Sequence, residues 1–238
     1  MGGRLTPVPE LEARYYRNHV DDHEVFDATV RSYLGTGMTI LDAGAGRGLR
    51  YPYDYGAIVE HVVGVDTDPA VAHNPNVDRA VVADLSWLPF ADATFDLVFS
   101  KYVVEHLTEP LTTFRELRRV MRPGAHLVFH TPNRFHYVAL GATVTPTRFH
   151  VWFNERRGRV EEDTFPTRYR ANDRKRLRQL AAHSGFRVAA LALIEPKPDY
   201  LTFHPLAYRA GIVYERIVNR SPRLVDLRCV IVADLEAV

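Results

Sequence analysis

The chain has very little cysteine: one residue, Cys229, in 238. A single thiol cannot form an internal disulfide, and a cysteine-rich zinc site is equally excluded. Cys229 lies in the apolar run Cys229-Val230-Ile231-Val232, which suits a buried thiol better than a nucleophile. No apolar run reaches the ~20 residues needed to span a bilayer, so no membrane span is expected. The first residues, MGGRLTPVPELEARYYR, have no apolar core of secretory type, and a cytoplasmic location is the expectation. An excess of charge is also missing. Lys and Arg number 30 and Asp and Glu 29, so net charge gives no reason to expect nucleic acid or an anionic membrane as a partner. Internal repeats and low-complexity tracts are absent as well.

What the chain does have is a rhythm of short apolar runs. Thr39–Ala43, Val62–Asp66, Ala80–Asp84, Phe95–Ser100 and Ala125–His130 alternate with helical or loop segments. Continuous apolar runs of this length are the mark of strands buried on both faces of a parallel sheet. Phe186–Leu193 and Leu227–Ala233 read as a sixth and a seventh strand. The expected fold class is therefore α/β, a doubly wound, mostly parallel seven-stranded sheet with an antiparallel last strand. Helices are expected after Asp21 and Glu24, which resemble a capping box. Others are expected over Leu111–Met121, after the cap signal Asn172-Asp173, and from Leu206 to about Val218.

Four regions follow: an N-terminal arm and helix over 1–37, a core over 38–133, an aromatic-rich insertion over 134–171, and a C-terminal part over 172–238. The last contains a second excursion at 195–225. The insertion holds Phe135, His136, Tyr137, Phe149, His150, Trp152 and Phe153, a lining that suits an apolar or aromatic small molecule.

The first strand runs into Asp42-Ala43-Gly44-Ala45-Gly46-Arg47-Gly48. Glycines this close together mark a backbone that turns sharply or is approached closely by a ligand. In open parallel sheets that ligand sits beyond the carboxyl ends of the strands. The dinucleotide pattern would place its third glycine at position 49, which is Leu49.

Asp42-x-Gly44-x-Gly46-x-Gly48 resembles motif I of the class I S-adenosylmethionine-dependent methyltransferases. Val63-Gly64-Val65-Asp66 resembles the family's second-strand motif, and Ala83-Asp84-Leu85 its third. Phe95-Asp96-Leu97-Val98 with Glu105-His106-Leu107 resembles the fourth-strand region. The motifs stand in family order within 38–133. The resemblance implies a Rossmann-like fold and S-adenosylmethionine as cofactor. It further implies a cofactor site built from Asp42, Ala43, Gly44, Gly46, Gly48, Asp66, Thr67, Asp84, Leu85, Ser100 and Tyr102. Asp66 would meet the ribose, Asp84 the adenine amino group, and Leu85 the adenine plane. No metal is expected.

The implied function is methyl transfer to a small-molecule acceptor in biosynthetic metabolism, to oxygen before carbon or nitrogen. The alternative is a protein of the same fold that binds S-adenosylmethionine without methylating. An oxygen or ammonium acceptor needs a base, and histidine suits that work. His106, His130, His136 and His150 are the candidates, and the sequence does not choose among them. The helix from Leu206 could cover the core or form a homodimer face.

Overall fold

The computed structural model describes residues 6–17, 19, 21–49, 52–144 and 166–238. Seven strands form one sheet in the order β3-β2-β1-β4-β5-β7-β6. They are β1 (Thr39–Ala43), β2 (His61–Asp66), β3 (Arg79–Val82), β4 (Phe95–Lys101), β5 (Met121–Pro132), β6 (Phe186–Ile194) and β7 (Val230–Ala237). The pairs β1–β2, β1–β4, β2–β3 and β4–β5 are parallel. The last strand runs the other way. Asn133 N–H donates to the Cys229 carbonyl (2.7 Å), while His126 meets Asp234 (2.6 Å), so the partner number falls as β5 advances. Val238 N–H donates to the Gly185 carbonyl (3.0 Å), which sets the end of β7 beside the start of β6. The chain is thus mostly parallel α/β with β7 inserted antiparallel between β5 and β6.

The order reverses at β1 and β4, and the carboxyl end of β1 carries the glycine turn. Ile40, Leu41 and Ala43 are fully buried, as are Val62, Val65, Leu97, Val98 and Val128. Burial on both faces is why these strands read as unbroken apolar runs.

Six α-helices are described: α1 (Val8–Tyr15), α2 (Asp22–Arg31), α3 (Pro110–Val120), α4 (Tyr137–Val144), α5 (Arg174–His183) and α6 (Pro205–Arg220). The predicted caps form. Asp21 accepts from His23 N–H and Glu24 reaches back to Asp21 N–H, while Asp173 accepts from Arg176 N–H at 2.8 Å. None of these helices is long and apolar enough to cross a membrane.

Three strands differ from expectation by two residues or more; the fifth runs from Met121 to Pro132 instead of Ala125–His130. The third strand ends at Val82, because Asp84 leaves it to accept from Ser86 N–H (2.7 Å) and turn the chain. The seventh begins at Val230, because Pro222–Leu227 wind into a 3-10 helix.

By contact the chain divides into two compact units. One comprises residues 1–24, 133–164 and 193–230, and the other 25–132, 165–192 and 231–238. The second contains most of the sheet. There Asp96 accepts from Thr39 N–H (2.9 Å) and pairs with Arg122, so this acid fastens β4 to its neighbours.

Arg119 organises the loop between β3 and β4. Its guanidinium donates to the carbonyls of Leu88 and Phe90, and it pairs with Glu116 and Asp92. Glu116 in turn accepts from Leu88 N–H (2.7 Å), and its carboxyl is held below the usual carboxylate range by Arg119. Charge-assisted bonds to a partly shielded group contribute roughly 1.5–3 kcal/mol. Arg119→Ala is expected to lower the unfolding free energy by about 2 kcal/mol in urea titration, with an unchanged slope. A loss under about 0.5 kcal/mol would mean the loop holds itself.

Candidate functional site

The site is built where β1 ends. Gly44, Gly46 and Gly48 all have positive φ (86°, 50° and 68°), the left-handed region that costs other L-residues roughly 1–2 kcal/mol. The turn folds back onto β2: the N–H groups of Gly44 and Ala45 both donate to the Val65 carbonyl (2.8 and 3.0 Å). At Gly44 the space is closed as well, since an added Cβ would lie 2.2 Å from Cγ2 of Val103.

Asp66, at the end of β2, braces the loop. One carboxylate oxygen accepts from Gly46 N–H and the other from Asp68 N–H, each at 2.9 Å. Thr67 follows and is exposed. Two asparagines complete the brace. Asn74 donates to the carbonyls of Ala45 (3.0 Å) and Gly46 (3.3 Å), and Asn76 to that of Gly48 (2.8 Å). The glycine carbonyls are thereby drawn to one side.

Asp42 is buried beneath the loop, and the hydroxyl of Tyr53 donates to it. Burial pushes its carboxyl up to about 7; Tyr53 pulls it down and the neighbouring Asp66 adds to the rise. Tyr53 stacks on Tyr55 (4.6 Å), and both pack edge-on against Phe99. After the glycines the described chain contains no α-helix before β2, only a 3-10 turn at Tyr55–Ala57. A pyrophosphate bound after a glycine turn rests on the N-terminus of the helix that follows. That arrangement is lacking among the described residues here.

The loop after β3 carries Asp84, exposed, and Leu85, buried, with Trp87 beside them 76% exposed. Ser100, at the end of β4, is buried and donates its hydroxyl to the Ala43 carbonyl (2.6 Å). That bond ties the ends of β1 and β4 together. Tyr102 has φ +59°, an outlying value for a bulky residue. Its N–H donates to the His130 carbonyl (2.9 Å), and its ring lies edge-on to the His130 imidazole at 4.6 Å.

The candidate histidines occupy different settings. His106 is half-buried, and its Nδ1 bonds the Pro166 carbonyl (3.1 Å). Burial lowers its pKa against the pull of that bond, so a neutral ring with a donating Nδ1 leaves Nε2 as the acceptor. Beside it, Glu105 is buried and pushed up to about 7 by burial. Asn172 donates to the Thr131 hydroxyl (2.7 Å), which donates to Glu105 (2.9 Å). His130 is fully buried at the end of β5, between Tyr102 and Phe26. His136 belongs to the first unit. Its Nε2 meets the buried Glu195 (3.2 Å), and its Nδ1 accepts from Val138 N–H (3.4 Å). With both nitrogens engaged, it fastens α4 to Glu195. His150 lies outside the described residues.

Asp42, Ala43, the three glycines, Asp66, Thr67, Asp84, Leu85, Ser100, Tyr102, His106 and His130 all belong to the second unit; direct contacts join Asp66 to the glycine turn, Ser100 to Ala43, and Tyr102 to His130. Sequence reasoning missed Tyr53, Asn74 and Asn76, and named Glu105 only within the fourth-strand resemblance, with no role of its own. Only the two asparagines left a signal, the turn-forming run Asn74-Pro75-Asn76.

Residues 41–129 match the family described as "Methyltransferase domain". Among curated proteins, a "Probable S-adenosylmethionine-dependent methyltransferase" of Mycobacterium tuberculosis strain H37Rv is 33% identical over 143 residues, covering 56% of this chain and 48% of that protein. A malonyl-[acyl-carrier protein] O-methyltransferase of Hahella chejuensis is 36% identical over 104 residues, 41% of this chain and 37% of that one. The chain spans about half or less of the length of these relatives. Among solved structures, geranyl diphosphate C-methyltransferase of Streptomyces coelicolor, bound to Mg2+, geranyl diphosphate and S-adenosyl-L-homocysteine, has a TM-score of 0.54 and 16% identity. The match covers 89% of this chain and 78% of that one, and at this identity it speaks for the fold alone. Fold, glycine turn and matched core point the same way: residues 41–129 are similar to the methyltransferase domain of S-adenosylmethionine-dependent methyltransferases.

Proposed function

We propose that the protein transfers a methyl group from S-adenosylmethionine to a small-molecule acceptor in biosynthetic metabolism, to oxygen before carbon or nitrogen. The observation that carries this reading is the left-handed glycine turn at the end of β1, braced by Asp66 and underlain by the buried Asp42. The residues present fit the cofactor. The turn offers a surface free of Cβ atoms, and a buried carboxyl held near neutrality suits a cationic ammonium group close by. When bound, S-adenosylmethionine supplies an activated sulfonium methyl.

In this reading Gly44, Gly46 and Gly48 let the backbone approach the nucleoside, with Asp42 and Ala43 beneath them. Asp66 and Thr67 hold the ribose, and Asp84 and Leu85 frame the adenine. Ser100 and Tyr102 shape the pocket from the end of β4. Direct displacement needs positioning more than covalent help, and alignment alone is worth on the order of 7–11 kcal/mol. Where the acceptor must lose a proton, His106 is the base this arrangement favours, since burial keeps its Nε2 unprotonated near neutral pH. The curated relative from Hahella, named for O-methylation of malonyl-[acyl-carrier protein], supports transfer to oxygen.

The test is calorimetric binding of S-adenosyl-L-homocysteine, followed by a labelled-methyl screen of phenolic, polyketide-like, sugar and amine acceptors. Asp66→Ala is expected to weaken S-adenosyl-L-homocysteine at least tenfold, because it removes both a ribose partner and the brace on Gly46. No binding by the parent chain would overturn the reading. Binding without turnover of any acceptor would leave a cofactor-binding protein of the same fold.

A further inference from the structure

Helix α6 is amphipathic twice over. Its buried side, Tyr208, Ile212, Glu215 and Val218, faces its own unit, where Tyr208 and Ile212 pack with Leu11. On the opposite side Leu206, Ala210, Val213 and Ile217 are exposed, at spacings of four, three and four. At about 100° per residue they share an arc of about 60°. Leu206, Val213 and Ile217 are 54%, 58% and 53% exposed, and Phe203, just before the helix, is 62% exposed. Such a stripe marks an interaction surface. Arg209, Arg216 and Arg220, all exposed, occupy the adjoining arc of about 40°. The only acid of the helix, Glu215, lies on the buried side.

The same unit holds a second feature that borders the stripe through Arg216. A cavity of about 380 Å³ is lined by Arg14, Arg17, Arg216, Tyr15, Tyr16 and His19, with Glu215 as its one carboxylate. Glu215 is already engaged by Arg216 (3.2 Å) and Asn219 (2.7 Å). Arg14 and Arg17 make no ion pair among the described residues. The cavity therefore offers two guanidinium groups without a carboxylate partner, one of them, Arg14, lying over the Tyr15 ring at 5.5 Å; guanidinium groups are the donors best shaped for phosphate or carboxylate.

We propose that this unit docks on an anionic lipid surface, with the Leu206–Ala210–Val213–Ile217 stripe of α6 entering the headgroup–acyl boundary and the Arg14–Arg17–Arg216 cavity receiving a phosphate headgroup. Charge selects this occupant. A second copy would bring its own arginine row against Arg209, Arg216 and Arg220. An anionic membrane neutralises that row, and long arginine stems lie along apolar surface while their heads stay among the phosphates. The inference goes beyond methyl transfer, and its test uses neither cofactor nor acceptor.

The test is flotation of the whole chain with phosphatidylglycerol vesicles and, separately, phosphatidylcholine vesicles. Binding to the first and not the second is expected, weakened by 0.5 M salt. Val213→Asp with Ile217→Asp should abolish it. Arg14→Gln with Arg17→Gln should weaken it more than tenfold, at about fivefold per arginine. Thermal melts report whether either variant has lost its fold. The proposal fails if the chain ignores phosphatidylglycerol or if the stripe variant floats like its parent. It also fails if the stripe substitutions only convert a dimer to a monomer, which would make a second copy the occupant.

Discussion

Gly44→Ala is expected to lower the melting temperature by about 6–12 °C and to abolish detectable S-adenosyl-L-homocysteine binding. Two separate costs add. The backbone at φ +86° strains any side chain, at roughly 1–2 kcal/mol. The new Cβ would also meet Val103 Cγ2 at 2.2 Å and Cγ1 at 3.0 Å. A β-branched neighbour has no flexible end to swing aside, and crowding of this kind costs typically 1–3 kcal/mol. The sum of about 3 kcal/mol corresponds to 2–4 °C per kcal/mol in a chain of this size. The two costs separate in a double variant. Val103→Ala removes the two clashing methyl groups, so Gly44→Ala with Val103→Ala should recover about half the lost stability. If Gly44→Ala melts within 2 °C of its parent, the turn is not fixed as described.

The second expected result concerns pH. Asp42 and Glu105 are buried carboxyls, both pushed up to about 7 by burial. Between the ordinary carboxylate range and pH 7 the folded chain therefore holds protons that the unfolded chain has released. The sign follows from linkage: this contribution is whole below about pH 4, falls as pH rises, and is gone above about pH 7. Its size is on the order of 3–4 kcal/mol for each group. Asp42→Asn should match its parent to within about 2 kcal/mol at pH 5 and exceed it in stability by more than that at pH 8. Glu105→Gln should behave alike. Urea titrations at the two pH values decide the matter, and a variant whose advantage does not grow with pH would show the carboxyl already ionised at pH 5. Binding should show the opposite slope. If Asp42 faces the cofactor's ammonium, affinity for S-adenosyl-L-homocysteine rises with pH up to about 7, and Asp42→Asn removes the rise.

These residues also show what can be read before a structure is known. The strands are legible because both faces of the sheet are covered, so Ile40–Ala43 and Val62–Val65 are apolar at every position but one. The glycine turn and the caps at Asp21 and Asp173 are legible because they answer to local backbone geometry. Groups whose partners are distant in sequence were out of reach. Tyr53 matters because of Asp42, and Asn74 and Asn76 because they reach back 28 or 29 positions to the glycine loop. Ser100 belongs to the cofactor set that the resemblance implies, and only the structure shows its hydroxyl bonded to the Ala43 carbonyl, 57 positions away. His136 looks like a base in the sequence, and only the structure shows Glu195 across from it, 59 positions away. A side chain's vacancy is a tertiary property, and no local pattern reports it.

The place of β7 has a consequence for biosynthesis. The seventh strand in sequence fills the gap between β5 and β6. While the ribosome is still translating, β6 has no neighbour to zip onto, and one flank of β5 stands bare. The nascent chain must therefore wait for β7 before the contacts of that half can form. A chaperone that shields bare strand flanks would find its client in this interval, and a premature stop before Val230 would leave that client permanently unfinished.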